Sequence, residues 1–170
     1  RAVFAWLPYE AEVRHCEHIR YAQCKLREAM TGLSLKTALA QINVTVGDLN
    51  GNAEKIAQFL EQARSRKADL VLFPELALTG YPPEDLLFKP SFVEENLRRL
   101  RSLVRLSQGI TALIGFVDRD SHGNLYNGLA VLSHGKWAAR YHKMKLPNYG
   151  VFDEKRYFVS GDKPLVLDFI

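Results

Sequence analysis

Cysteine is scarce in this chain: the only two, Cys16 and Cys24, precede the first strand-like stretch. Their separation is wrong for a bridge within one helix, so a disulfide framework is not the source of stability. His15 and His18 stand beside them, but His15 and Cys16 are adjacent and point to different faces, and no second ligand pair follows. That spacing argues against a structural metal site. Long apolar runs are also missing, which excludes a bilayer-crossing helix. The opening R-A-V-F-A-W-L-P-Y-E is interrupted by Pro8 and Glu10 and makes no secretory leader, so the expected compartment is the cytoplasm. Residue one is Arg rather than Met, which reads as a processed chain or a piece of a longer one.

The net charge is +4, with Arg98, Arg99, Arg101 and Arg105 as its densest cluster. These arginines interleave with Leu97, Leu100, Leu103, Val104 and Leu106, the pattern of a helix with one apolar stripe and one solvated face. The aromatic platforms of nucleic-acid binders are not among them, so neither nucleic acid nor a membrane is an expected partner. What is abundant is ordinary globular material: 47% of the 170 residues are hydrophobic and 25% charged, enough for one domain with a core.

In chain order, residues 9–30 read as a charged amphipathic helix, with Val13, Cys16, Ile19, Leu26 and Met30 roughly on one side. A break at Thr31-Gly32 precedes a strand over Leu35 to Ile42. A helix over Ala53 to Lys67 follows, capped by Asn50 or Asn52, and then a buried strand over Asp69 to Phe73. This β-α-β unit leads to the arginine-bearing helix at Ser91 to Ser107. Three further strands run over Ile110 to Val117, Leu125 to Leu132 and Lys136 to Tyr141. A last strand begins at Pro164. The order specifies an α/β fold with helices covering a sheet.

Two places carry candidate chemistry. Glu75 follows Pro74, which cannot give an N–H to a ladder, so the acid sits just past a strand's C-terminal end, where ligand crevices form in open α/β sheets. Thr79-Gly80 and Pro82-Pro83 force a stiff loop over it. A glutamate there is more often a helix cap or a solvated loop charge than an acid–base group. Lys143 leaves the end of another strand, followed by an aromatic-rich loop with a further acid. Alone it reads as a surface lysine; beside Glu75 in a crevice it would stay charged and could stabilise an oxygen gaining negative charge during acyl transfer.

The stretches A-L-A-Q-I-N-V-T-V-G-D-L-N-G-N, D-L-V-L-F-P-E-L-A-L-T-G-Y-P-P-E-D-L-L, L-Y-N-G-L-A-V-L and Y-H-K-M-K-L-P-N-Y-G-V-F-D-E-K-R-Y-F resemble the nitrilase, or carbon–nitrogen hydrolase, superfamily. More narrowly they resemble the glutaminase domains of glutamine-dependent NAD synthetases. The resemblance covers about Leu35 to Ile170 and leaves residues 1–33 as an extension outside it, with Arg1 to Ala29 expected to lie outside the fold; 34–170 is the N-terminal part of the hydrolase domain. It implies a partial nitrilase-type α-β-β-α sandwich, truncated at its C-terminus, and a Glu-Lys-Cys catalytic set. Position by position, Glu75 falls on the family's general base, Lys143 on the lysine that stabilises the tetrahedral intermediate, and Glu154 on the supporting glutamate. Tyr81, Tyr149 and Phe152 fall where the family lines its glutamine pocket.

The family's cysteine lies beyond the strand begun at Leu165, and no cysteine follows Cys24. The 170 residues alone are therefore expected to be inactive. The complete form implied by the resemblance takes glutamine, needs no cofactor in this segment, and feeds ammonia to a C-terminal synthetase domain using ATP and Mg2+ to amidate deamido-NAD. It is also expected to assemble with copies of itself. The alternatives are a stand-alone amidase of the superfamily and a non-catalytic module on a degenerate hydrolase fold.

Overall fold

The computed structural model describes residues 18–25 and 34–168, with the backbone alone in 18–25 and at 34. Six strands make one mixed sheet whose spatial order is their chain order. They are β1 (His18–Lys25), β2 (Ser34–Gln41), β3 (Leu70–Leu72), β4 (Thr111–Arg119), β5 (Leu125–Ser133) and β6 (Lys136–His142). The central pairs, β2 with β3 and β3 with β4, are parallel; the outer pairs are antiparallel. Parallel neighbours need crossovers, and the two helices α1 (Leu49–Ser65) and α2 (Pro90–Leu103) supply them.

Each helix forms on a recurring apolar stripe. Leu49, Ala53, Ile56, Phe59, Leu60 and Ala63 are buried on α1, and Val93, Leu97, Leu100 and Leu103 on α2, which starts with Pro90 in its first turn. Both pack on the same side of the sheet. There the register row Ala38, Val71, Ala112 and Leu132 meets Ile56, Leu60, Leu97 and Leu100 in one core. Alternation sends the next row, Leu39, Leu72, Leu113 and Val131, to the opposite face, where Leu39 is exposed. The described residues are thus one helix layer on one sheet, with apolar positions on the second face. A smaller cluster, Leu76, Leu87, Val93, Val117, Leu146 and Phe158, ties the loops after β3 and β6 to β4 and α2. It is this cluster that brings two distant loops to one end of the sheet.

Three expectations need correction. The helix expected over residues 9–30 is, in its described part, the strand β1, which pairs with β2 from His18 opposite Gln41 to Lys25 opposite Ser34. The open edge of β2 offers a full row of backbone groups, and an extended segment satisfies them as a helix cannot. His18–Lys25 thus joins the sheet from within the stretch expected outside the fold; His15 and Cys16 lie outside the described residues. Helix α1 begins earlier than its apolar stripe suggests, because Asp48, not Asn50 or Asn52, accepts the Gly51 N–H at 2.9 Å. Asn52 is buried instead and bonds Thr45 and the Leu78 carbonyl. Finally, residues 164–168 make no strand, since none of the described strands pairs with them.

The arginine face is as read: Arg98 and Arg99 bond Glu95 on the solvent side of α2, although Leu106 is exposed rather than part of the stripe. No helix of the described residues is long and apolar enough to cross a membrane. Asn52→Ala should lower unfolding stability by about 1–3 kcal/mol, since it removes a donor to the buried Leu78 carbonyl and both bonds to Thr45. Asn50→Ala, which leaves the Asp48 cap in place, should change it by less than about 0.5 kcal/mol in the same denaturant titration.

Candidate active site

The acid is set by backbone. Phe73 still gives its N–H to Leu113 at 2.9 Å, Pro74 cannot continue the ladder, and Glu75 enters a tight turn closed by the Thr79 and Gly80 N–H groups on the Leu76 carbonyl. Leu76, fully buried, holds φ at +46°, a left-handed conformation costly for a branched side chain. Burial of Leu76 in the small cluster maintains that strain. Beneath the turn lies Gly115 of β4: a Cβ there would come 2.4 Å from both the Leu76 nitrogen and the Pro74 oxygen. Only a glycine lets the Glu75 turn rest on the strand.

Lys143 follows β6 directly. Its N–H donates to the Asn127 carbonyl at 2.9 Å, and its carbonyl accepts from Gly161 at 2.9 Å. Its ammonium donates to Glu75 Oε1 at 2.6 Å and to Glu154 Oε1 and Oε2 at 3.0 and 3.1 Å. Glu154 opens a short 3-10 turn (Glu154–Arg156) and also accepts from the Tyr81 hydroxyl at 3.0 Å. The loop bearing Tyr81 and Pro82, joined by a cis bond, thereby meets the loop bearing Glu154.

Exposure separates the two acids. The Glu154 side chain is 5% exposed and that of Glu75 46%, with Lys143 between them. Glu154 is therefore the buried counter-charge and Glu75 the acid open to solvent. Burial alone would push the Lys143 ammonium's pKa down, but the hydrogen bonds and charges of Glu75 and Glu154 outweigh it and hold the pKa above the usual lysine value. Burial first, and then the hydrogen bond and charge of Glu154, push Tyr81 up to about 12, so it remains a neutral donor.

Of the residues singled out in the sequence, Glu75, Lys143, Glu154 and Tyr81 come together. Phe152 lines an adjoining hollow of about 460 Å³ with Tyr81, Pro83, Asp85, Glu154 and Tyr157. Glu75 and Lys143 do not line it; they reach it through Tyr81 and Glu154. Tyr149 stands apart, 71% exposed and edge-on to Phe152 at 5.6 Å between ring centres. Sequence reasoning missed Asn127, whose amide donates to Glu75 Oε1 at 2.6 Å, and Gly115. An asparagine and a glycine inside otherwise apolar strands are the signals that could have found them.

The register also places Cys24. It lies opposite Leu35 at the start of β2, whereas Glu75 follows the far end of the parallel strand β3. Leu35 is level with Ala68 in the parallel register, seven residues before Glu75, or about 23 Å of extended chain. Cys24 is thus remote from the acid–amine cluster. Among the described residues no group of three or more His, Cys, Asp or Glu side chains could hold a metal ion.

The molecule is thus an α/β protein with an acid–amine–acid cluster at the strand ends of a mixed sheet. The particular family follows from comparison: the chain belongs to the carbon-nitrogen hydrolase family, whose sequence profile matches residues 36–169. The glutamine-dependent NAD(+) synthetase of Thermotoga maritima is 46% identical over 135 residues, 78% of this chain and 23% of the relative. The solved glutamine-dependent NAD+ synthetase of Acinetobacter baumannii superposes with a TM-score of 0.77 at 39% identity, over 80% of this chain and 26% of its own. An amidase from Nesterenkonia sp., solved with acrylamide added to its active-site cysteine, matches with a TM-score of 0.68 at 26% identity, over 79% of this chain and 53% of its own. The chain thus spans about a quarter of the length of the NAD synthetases it matches.

Two outcomes follow from this geometry. Gly115→Ala should cost about 1–3 kcal/mol in unfolding stability, because the atoms it meets are backbone and cannot swing aside. A raised lysine pKa stabilises the folded state fully below the ordinary value of 10.5 and loses that contribution as pH rises through the higher folded value. The stability advantage of the wild type over Lys143→Met should therefore be flat from pH 7 to 10 and shrink only at more alkaline pH.

Proposed function

We propose that this chain forms the first part of a glutamine amidohydrolase, in a longer protein that passes the released ammonia to a synthetase domain amidating deamido-NAD to NAD. The carrying observation is the single ammonium of Lys143 held 2.6 Å from Glu75 and 3.0 Å from the buried Glu154. The similarity to proteins named glutamine-dependent NAD(+) synthetase supports glutamine as the amide. ATP and Mg2+ would be held by the synthetase domain rather than by these residues.

In this reading Glu75 is the general base and acid, Lys143 the oxyanion partner and Glu154 the group that keeps Lys143 charged and in place. The attacking sulfur is supplied, in this reading, from outside these 170 residues, as the family resemblance implies; Cys24 lies at the far end of the sheet from Glu75. A thiol is mostly protonated at neutral pH, so Glu75 takes its proton as the sulfur bonds to the amide carbon. The carbonyl electron pair moves onto oxygen beside Lys143, which stabilises the new charge. The carbonyl re-forms as the C–N bond breaks, and Glu75 gives its proton to the nitrogen, releasing ammonia. Water then attacks the thioester, its proton passing to Glu75 and on to the sulfur, which frees glutamate and restores the thiol.

Tyr81 and Phe152, at the adjoining hollow, would bound the glutamine. The match to the Nesterenkonia amidase favours a second reading, an amidase acting on simple amides. Glu75→Gln in the full-length protein should lower glutamine-dependent NAD formation by about 10²–10⁴-fold while leaving ammonia-dependent formation within twofold. Turnover of simple amides without any glutamine-dependent NAD formation by the wild type would instead select the amidase.

A further inference from the structure

We infer that Asn127 is a positioning residue that decides which oxygen of Glu75 does the proton transfer, an inference that rests on the amidohydrolase reading. Asn127 is buried in β5 at a position paired with Val117, and Val117 is itself tied to α2 by Asn96, which donates to its carbonyl at 2.6 Å. From that fixed point Asn127 reaches both halves of the pair. Its side-chain amide donates to Glu75 Oε1 at 2.6 Å, and its backbone carbonyl accepts the Lys143 N–H at 2.9 Å. One residue thus sets the position of the acid's carboxylate and of the amine's backbone, although the two are 68 residues apart in the chain.

The consequence is chemical as well as geometric. Among the described residues the hydrogen bonds of Glu75 fall on Oε1, from Asn127 and Lys143. An oxygen already accepting two charge-assisted or amide bonds is the poorer proton acceptor, which leaves Oε2 as the working base. Without the amide donor, the carboxylate would be restrained by the Lys143 ammonium alone, a single contact that leaves its terminal torsion free to turn and exchange the two oxygens. The groups facing this carboxylate are then the Lys143 ammonium and, through it, Glu154 and Tyr81. None of these supplies a neutral donor to Oε1.

The test uses the full-length protein with Asn127→Ala and the isosteric Asn127→Asp. Misplacing a catalytic group by about 1 Å costs about 10²-fold in rate, so Asn127→Ala should lower kcat for glutamine by about that factor with KM changed by less than about threefold. Asn127→Asp keeps the shape, so it also reports if the alanine variant fails to fold; its rate should fall with rising pH as the introduced carboxyl ionises against Glu75. A crystal structure of either variant should show the plane of the Glu75 carboxylate turned from its wild-type orientation or spread over more than one. An unmoved carboxylate, or kcat within threefold of wild type, overturns the inference. If the wild type does not hydrolyse glutamine, the functional reading fails, and the variant crystal structures alone decide the role of Asn127.

Discussion

A buried carboxylate governs this end of the molecule. Glu154 is nearly inaccessible, and an ionised carboxylate so placed costs several kcal/mol unless a charge and hydrogen bonds meet it. Lys143 and Tyr81 provide both, and in doing so they bind three loops together: the one after β3, the one after β6 and the 3-10 turn at Glu154. The lysine cannot leave without stranding Glu154, so its ammonium is available to Glu75 as a fixed rather than a roaming charge. A surface pair of the same length would contribute little, since two flexible chains would have to be ordered for a screened attraction. Here the buried partner supplies the ordering.

Around that charge the fold is arranged to hold the acid on a strained turn. The short strand β3, parallel on both sides, ends at Pro74, and the turn that follows carries Leu76 in a left-handed conformation. The turn survives because Leu76 is buried with Leu87, Val93, Val117, Leu146 and Phe158, and because Gly115 leaves room beneath it. Apolar packing thus maintains a backbone that puts a carboxylate within 2.6 Å of the lysine while leaving it half open to solvent. The link from sequence to chemistry runs through these packing residues as much as through the charged ones.

Much of this was legible in the chain itself. The period of α1 and α2, the apolar runs of β3 and β4 and the turn residues at His134-Gly135 specified an α/β sheet, and Pro74 correctly put Glu75 past a strand end. Where reading failed, a long-range term had overridden a local one. Residues 18–25 carry spacing that suits a helix, but the free edge of β2 recruits them as a strand. Asp48 caps α1 in place of the asparagines because Asn52 is drawn inward to satisfy Thr45 and Leu78. Asn127 and Gly115 escaped notice because the local pattern marks them only as a polar and a small residue within apolar strands, while their contacts with Glu75 and its turn run across strands.

The central claim, that one lysine held between a buried and an open glutamate forms half of an amide-cleaving centre, is most directly tested by a crystal structure of the full-length protein. The crystal would be soaked with a glutamine analogue carrying an electrophilic ketone. The account predicts a covalent bond to a cysteine sulfur adjacent to Glu75, with the former carbonyl oxygen within hydrogen-bonding distance of the Lys143 ammonium. An adduct formed elsewhere, or Glu75 and Lys143 found more than about 4 Å apart in the labelled protein, would contradict it.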